Sequence, residues 1–285
     1  MPELPEVETV VRQLAEALPG NRIRNVEIIH PDLIHEPSDS FRRALLGSTI
    51  GSVARRGKNI LLTLSGPSLL VVNLGMTGRL LFAPLRAGSR FGSRGTSHED
   101  RPPHLAIILT LDPQGLLLYA DPRRFGSLRR YSLPEWKNES ARLGPEPFDP
   151  ELTPEDFHQR LARSRSPIRS WLLDQTKIAG VGNIYASEAL FRARIHPKRP
   201  AQSIDERGSA YLLEAIRNVL SEAIQARGTT LRDYRTASGD RGDFEPHLQA
   251  YGRESVPCPG CNTPIVRVVF GNRSAFFCPR CQPTK

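Results

Sequence analysis

Removal of the initiator Met from Met1-Pro-Glu-Leu-Pro-Glu6 leaves Pro2 as a free secondary amine with two carboxylates, Glu3 and Glu6, close behind it. A free α-amino group titrates near ~7.7 to 8.0, where a lysine needs about 10.4, so such an amine is a nucleophile at neutral pH. Attack on a sugar aldehyde carbon gives an iminium, the Schiff-base form of covalent catalysis. A carboxylate one residue away suits the accompanying proton transfer. The plain alternative is a helix start, with Pro5 in the first turn, where its missing N–H costs nothing.

All four cysteines fall in the last 28 residues, as Cys258-Pro-Gly-Cys261 and Cys278-Pro-Arg-Cys281, with sixteen residues between the pairs. That is the spacing of a four-thiolate zinc site. Two disulfides are the alternative, which a reducing compartment disfavours. No His or carboxylate is arranged to leave an open coordination position, so one structural Zn2+ is expected. The intervening residues read as a hairpin, 265–270 turning at Gly271-Asn272 into 274–277.

Three further motifs have two readings each. Gly180-Val-Gly-Asn183 precedes a predicted helix, so it is either a phosphate-binding helix start or a turn capped by Asn183. Asn73-Leu-Gly-Met-Thr-Gly78 and Asp121-Pro-Arg-Arg-Phe-Gly126 place Met76 and Phe125 beside glycines and guanidinium groups. They are either a wedge and cation for a disrupted base stack, or two β-turns with Met76 and Phe125 packed in a core. Arg55-Arg-Gly-Lys58 is a basic turn before a strand, a solvated or phosphate-facing patch by type. Its lysine can release a proton, which a guanidinium effectively cannot.

The elements that carry these residues change character along the chain. Residues 5–18 set Val7, Val10, Val11, Leu14 and Leu18 at helical spacing, and Pro19-Gly20 stops them. Short apolar runs at 23–29, 60–64, 69–72, 80–83, 105–111 and 116–120 predict strands of a β-sandwich or barrel-like half. Residues 84–103, rich in Arg, Gly and Ser, are expected to form a mobile surface loop. Pro145 to Pro150 has the composition of a linker. Helices are then predicted at 154–163, 168–174, 184–193 and 205–227, before the zinc hairpin. No internal repeat is present.

Composition narrows the partner. In 285 residues, 39 are basic and 30 acidic, for a formal charge of +9. Five of the 39 are Lys, leaving 34 Arg, and guanidinium forks suit phosphate and base edges. A polyanion is the expected partner. The start is acidic without a basic and apolar leader, and the longest uncharged stretch, 59–78, is interrupted by Ser65-Gly-Pro67. A cytoplasmic protein without a membrane span is therefore expected.

In their order along the chain these motifs resemble the bacterial formamidopyrimidine-DNA glycosylases, also called 8-oxoguanine DNA glycosylases. The match runs from Pro2 to Gln282 and includes Gly180-Val-Gly-Asn-Ile-Tyr-Ala-Ser-Glu188. The resemblance implies an α+β fold: an N-terminal β-sandwich with flanking helices (1–134), a linker (135–152), a helical helix-two-turn-helix DNA-binding domain (153–250) and a zinc ribbon (251–285). It implies a bifunctional enzyme of base excision repair. Such an enzyme excises oxidised purines from duplex DNA and nicks the abasic strand by β- and δ-elimination.

Carried onto this chain, the resemblance makes Pro2 the nucleophile at C1′ and Glu3 the proton donor, with Glu6 supporting the site and contacting the lesion, and Lys58 serving β-elimination and contacting DNA. Met76, Arg123 and Phe125 would enter the duplex, Arg123 facing the orphaned base. Asn183 and Arg273 would hold phosphates; an Arg that stays protonated is a poor acid, so this outweighs the δ-elimination role the family assigns to Arg273. His104 and Arg165 would be further DNA contacts. Gly228 to Tyr234 resembles the loop that closes over a flipped base. The family usually has His where this chain has Asn73, and an aromatic residue where it has Asn59.

The implied partner is damaged double-stranded DNA, for a monomer associated with the bacterial nucleoid, with no membrane or nucleotide cofactor. Three other readings stand beside it. An endonuclease VIII-type glycosylase for oxidised pyrimidines usually begins Pro-Glu-Gly-Pro-Glu, against Leu4 here. A noncatalytic zinc-ribbon DNA-binding protein has no need of the Pro2 amine. An N-terminal-proline tautomerase gives no reason for the zinc ribbon.

Overall fold

A computed structural model describes residues 2–84, 102–113, 115–270 and 272–284; most of the expected 84–103 loop lies outside them. The chain forms two compact units: Met1–Ser140 with Arg227–Asp243, and Ala141–Ala226 with Phe244–Lys285.

The first unit opens with helix α1 (Leu4–Ala17), whose Val7, Val10, Val11 and Leu14 are buried as their spacing predicts. Then follow strand β1 (Arg22–Ile28), helix α2 (Ser38–Leu45), strands β2 (Ile50–Arg56), β3 (Asn59–Leu64), β4 (Ser68–Asn73), β5 (Arg79–Ala83), β6 (Leu105–Asp112), β7 (Gly115–Ala120) and β8 (Ser127–Ser132), and helix α3 (Leu133–Ser140). Two four-stranded antiparallel sheets result, in the orders β1-β6-β7-β5 and β2-β3-β4-β8.

Val26, Leu109, Leu117 and Tyr119 of one sheet share a core with Ile60, Leu62, Leu70, Val72 and Leu128 of the other and with α1. This is a β-sandwich with flanking helices. Side chains alternate along each strand. The opposite face of β3 and β4 buries Leu61, Leu69 and Val71 with Tyr131, against Trp136 of α3. Burial on both faces is why these strands read as continuous apolar runs.

The sequence signals missed β2 and β8. Both are edge strands carrying Arg, Ser and few buried residues, the charged pattern that protects a sheet edge from pairing with another chain. They also missed α2 and α3, and α3 buries none of its own residues.

The second unit is helical: α4 (Pro154–Ala162), α5 (Ile168–Leu173), α6 (Asn183–Arg192) and α7 (Glu206–Gln225). Thr153 caps α4 by accepting from Asp156 N at 3.2 Å, and Asp205 caps α7 by accepting from Gly208 N at 2.8 Å. Each cap satisfies one of the orphan N–H groups of a helix start. Arg217 of α7 donates to the carbonyls of Pro147 and Leu152, both at 2.7 Å, and so holds the proline-rich segment before α4.

The unit closes with the predicted hairpin, β9 (Val266–Phe270) and β10 (Arg273–Phe277), antiparallel with Phe270 opposite Arg273. Before it, the fully buried Glu188 of α6 accepts from the backbone N–H groups of Gln249, Ala250 and Tyr251 at 2.7–2.9 Å. One carboxylate thus satisfies three buried donors and ties the entry to the ribbon onto α6.

Residues 227–243 pack with the first unit although they follow α7. Tyr234 and Ala237 join the sandwich core, Ala237 O accepts from Phe82 N at 2.9 Å, and Ala237 N donates to Gln13 Oε1 at 2.7 Å. Among the described residues no helix is long and apolar enough to cross a membrane.

Candidate functional site

In the first unit the start of α1 is a buried acidic cluster. Pro2 is buried, and Glu3 and Glu6 are each 1 % exposed. Glu6 Oε2 accepts from Glu3 N at 2.8 Å, while Oε1 accepts from Thr229 N at 2.7 Å. Tyr234 Oη donates to Glu6 O at 3.3 Å. The Glu6 carboxylate therefore joins the chain start to the segment 227–243. Gly228 is required there: its φ is +85°, and a Cβ would lie 2.9 Å from Glu6 Oε1.

Lys58 is half-buried in the β2–β3 turn, next to Gly57 at φ +57°. Arg55 fixes that turn to α1, donating through Nε to Glu8 Oε2 at 2.8 Å and through Nη1 to Gly57 O at 3.1 Å. Burial by itself raises the Glu8 carboxyl, but Arg55 and Arg12 hold it below its ordinary value. The ion pair thereby keeps its charge and ties the turn that carries Lys58 to α1, whose N-cap is Glu3.

The Met76 and Phe125 turns abut, and neither side chain is in the core: Met76 is 37 % and Phe125 60 % exposed. The core-packing alternative is thus corrected. Asp121, buried at the foot of its turn, accepts from Thr77 Oγ1 at 2.5 Å, Arg123 N at 3.2 Å and Gly126 N at 2.8 Å. Its carboxylate takes two backbone N–H groups of the turn, and the apolar tips remain exposed. The Arg123 guanidinium lies over the Phe125 ring at 4.7 Å, a cation–π contact.

Glycine makes the contact of the two turns feasible. A Cβ on Gly75, at φ +56°, would sit 2.5 Å from the Phe125 carbonyl, and one on Gly126 would sit 1.8 Å from Tyr119 Oη. Gly75→Ala is expected to lower stability by about 1–3 kcal/mol through strain and overpacking. A fall in the urea midpoint checks this.

In the second unit the structure corrects the capping alternative for Asn183. The N-cap is Gly182, and Asn183 is the first helical residue, without a side-chain capping bond. Its Oδ1 instead accepts from Arg169 Nη2 at 2.6 Å, and its Nδ2 donates to Ser274 O at 3.0 Å. Arg169, 3 % exposed, also donates to Ser274 O at 3.0 Å, and burial followed by the Arg273 charge pulls its pKa down. Arg169 and the N-terminus of α6 therefore meet at Asn183 and at the carbonyl of Ser274, the residue after Arg273 on β10, and positive charge at a helix start suits phosphate.

Sequence reasoning did not single out Arg169. Its one signal is a lone charge in the otherwise apolar or small α5. The remaining sequence-predicted positions are exposed. His104 sits at φ +62° just before β6, and its carbonyl accepts from Asp121 N at 3.0 Å, at the foot of the Phe125 turn. Arg165 lies in the loop between α4 and α5.

The four cysteines are free thiols, with one sulfur from each within 4.8 Å of all the others. Cys258 and Cys281 Sγ are 3.9 Å apart, and Cys261 and Cys278 Sγ 3.4 Å. A tetrahedral ion with Zn–S bonds of ~2.3 Å sets its sulfurs about 3.8 Å apart, so the cluster fits zinc. With all four positions taken by thiolate, the site is structural. Cys258, Cys278 and Ile265 pack against Phe191 of α6, and Gln282 donates to Ile195 O at 2.8 Å, fastening the ribbon to the helices.

Comparison with known proteins agrees with this geometry. The sequence matches the formamidopyrimidine-DNA glycosylase N-terminal domain over residues 1–128, the H2TH domain of the same enzymes over 143–235, and the zinc finger found in FPG and IleRS over 257–284. The formamidopyrimidine-DNA glycosylase of Symbiobacterium thermophilum is 44% identical, over 99% of this chain and 90% of its own length. That of Thermomicrobium roseum is 42% identical, over 99% of both. A Lactococcus lactis FPG mutant crystallised with Fapy-dG-containing DNA superposes with a TM-score of 0.89 at 31% identity, over 99% of this chain and 100% of that one. The MutM (FPG) protein of Thermus thermophilus gives 0.85 at 39%, over 99% and 98%.

Sandwich, helix-two-turn-helix unit and zinc ribbon together define a DNA-glycosylase architecture. The chain belongs to the formamidopyrimidine-DNA glycosylase family.

Proposed function

We propose that the chain excises oxidised purines, 8-oxoguanine and formamidopyrimidines, from double-stranded DNA in base excision repair, and then acts as an abasic-site lyase. The carrying observation is the start of α1, where Pro2 is buried beside two buried carboxylates and Glu6 is held at 2.8 and 2.7 Å from both sides. A preorganised amine and acid at one point are what cleavage through a covalent intermediate requires.

In this reading the Pro2 nitrogen attacks C1′ and the glycosidic bond breaks with its electron pair on the departing base. The Pro2 N–H proton leaves with the departing base, Glu3 protonates O4′ as the C1′–O4′ bond opens, and the sugar remains bound as an iminium. The iminium acidifies the C2′ proton. With Lys58 serving that step, the 3′ C–O bond breaks, and a second elimination releases the 5′ phosphate. Met76 and Phe125 fill the opened stack, Arg123 faces the unpaired base, and Glu6 holds the acidic start of α1 in place.

Asn183 and Arg273, positioned by Arg169, hold backbone phosphates, with His104 and Arg165 as outer contacts. The enzyme works as a cytoplasmic, nucleoid-associated monomer with no nucleotide cofactor or membrane partner. The zinc keeps the β9–β10 hairpin rigid and has no part in bond cleavage.

The test incubates the mature protein with duplex containing 8-oxoguanine opposite cytosine and adds borohydride. A covalent protein–DNA adduct and released 8-oxoguanine are expected. Absence of both overturns the reading, while efficient release of thymine glycol with no release of 8-oxoguanine favours the pyrimidine-specific alternative.

A further inference from the structure

Asn59 and Asn73 face each other as partners in the β3–β4 register. Asn73 Nδ2 donates to Asn59 Oδ1 at 2.9 Å. Each amide also bonds onward to backbone: Asn59 Nδ2 donates to Arg56 O at 3.3 Å, and Asn73 Oδ1 accepts from Gly75 N at 2.9 Å. A chain of three hydrogen bonds thus runs from the turn that carries Lys58 to the turn that carries Met76. Its ends lie two residues from Lys58 and one from Met76. A third turn joins it, because Tyr119 Oη donates to Asn73 O at 3.2 Å and lies against Gly126, beside Phe125.

We propose that Asn59 and Asn73 form a positioning pair that couples the Met76 turn to the Lys58 turn, so that wedge insertion and lysine placement occur together. Neither amide touches the reacting atoms; the pair acts through the backbone of the two turns. Planar amides bonded at both ends transmit a displacement, since rotating either one breaks two bonds at once. The inference rests on the glycosylase reading and adds the means by which a base-stack event reaches the elimination step.

The experiment crosses the two readouts. Duplex containing 8-oxoguanine with 2-aminopurine in the facing strand reports wedge insertion by fluorescence, and strand cleavage of duplex carrying a preformed abasic site reports the elimination that Lys58 serves. Asn59→Ala, on the lysine side, is expected to slow the fluorescence rise, and Asn73→Ala, on the wedge side, to slow strand cleavage, each by about five- to tenfold. The double variant should be no slower than the worse single, because one chain of bonds is cut once.

Asn73→Asp keeps the shape and the Gly75 bond but cannot donate to Asn59, so it should slow strand cleavage similarly. It serves where the alanine variants melt. The proposal is overturned if Asn59→Ala leaves fluorescence, and Asn73→Ala leaves strand cleavage, at wild-type rates, or if the double variant multiplies the two defects. Wild-type protein showing neither signal overturns the glycosylase reading instead.

Discussion

Protein that keeps its initiator Met, or whose Pro2 nitrogen is acetylated, will bind lesion-containing duplex but give no borohydride-trapped adduct. The reason is covalent: an amide nitrogen has its lone pair in resonance with the carbonyl and cannot form the iminium. A loss of about a thousandfold or more in adduct formation and base release is expected, equivalent to roughly 4 kcal/mol of transition-state stabilisation. Binding should change much less, because phosphate contacts supply most of the affinity for DNA. Single-turnover base release by processed and Met-retaining protein, with a filter-binding Kd for each, checks both halves. Equal rates for the two forms would remove Pro2 from the mechanism. Glu3→Gln offers an internal comparison, since it keeps the amine and the shape while withdrawing the proton.

Stripping the zinc with a chelator, or replacing Cys258 and Cys278 with Ser, will unfold the β9–β10 hairpin and weaken DNA binding by about a hundredfold. Structural zinc supplies about 10–16 kcal/mol to the folding of small ribbons. Among the described residues, this hairpin has few other means of support: β9 buries none of its five residues, and β10 buries Ala275 and Phe277. Arg273 opens β10, and Ser274 O receives both Asn183 and Arg169, so losing the hairpin removes the proposed phosphate contacts together. Zinc release measured with a colorimetric indicator should therefore track loss of affinity, and restoring the metal should restore it. Undiminished affinity in the metal-free protein would show that the ribbon does not carry the phosphate contacts.

Residues whose chemistry lies in nearby sequence were legible without a structure. The cysteine pairs declare a tetrahedral thiolate site through their spacing. The apolar stripe of α1 and the doubly buried β3 and β4 declare themselves because burial dictates side-chain type at fixed periods. Edge strands escape such reading: β2 and β8 meet solvent, and their arginines serve turns and ion pairs instead of a core. Likewise, Met76 and Phe125 carry the same letters whether packed or projecting. Only the abutting turns, with Gly75 and Gly126 pressed against Phe125 and Tyr119, leave those tips outside.

The sequence by itself determined the reagents of this protein: an amine beside carboxylates, a lysine at a tight turn, thiolates for one metal, guanidinium groups for a polyanion. The tertiary structure alone decided their mutual placement. Glu6 meets Thr229 across 223 positions of chain, Arg169 meets Ser274 across 105, and Asn59 meets Asn73 across 14. Each is a polar contact whose partner is chosen by how strands, helices and loops pack. Such a contact leaves no period in the sequence, because one hydrogen bond constrains one residue at each end and nothing between them.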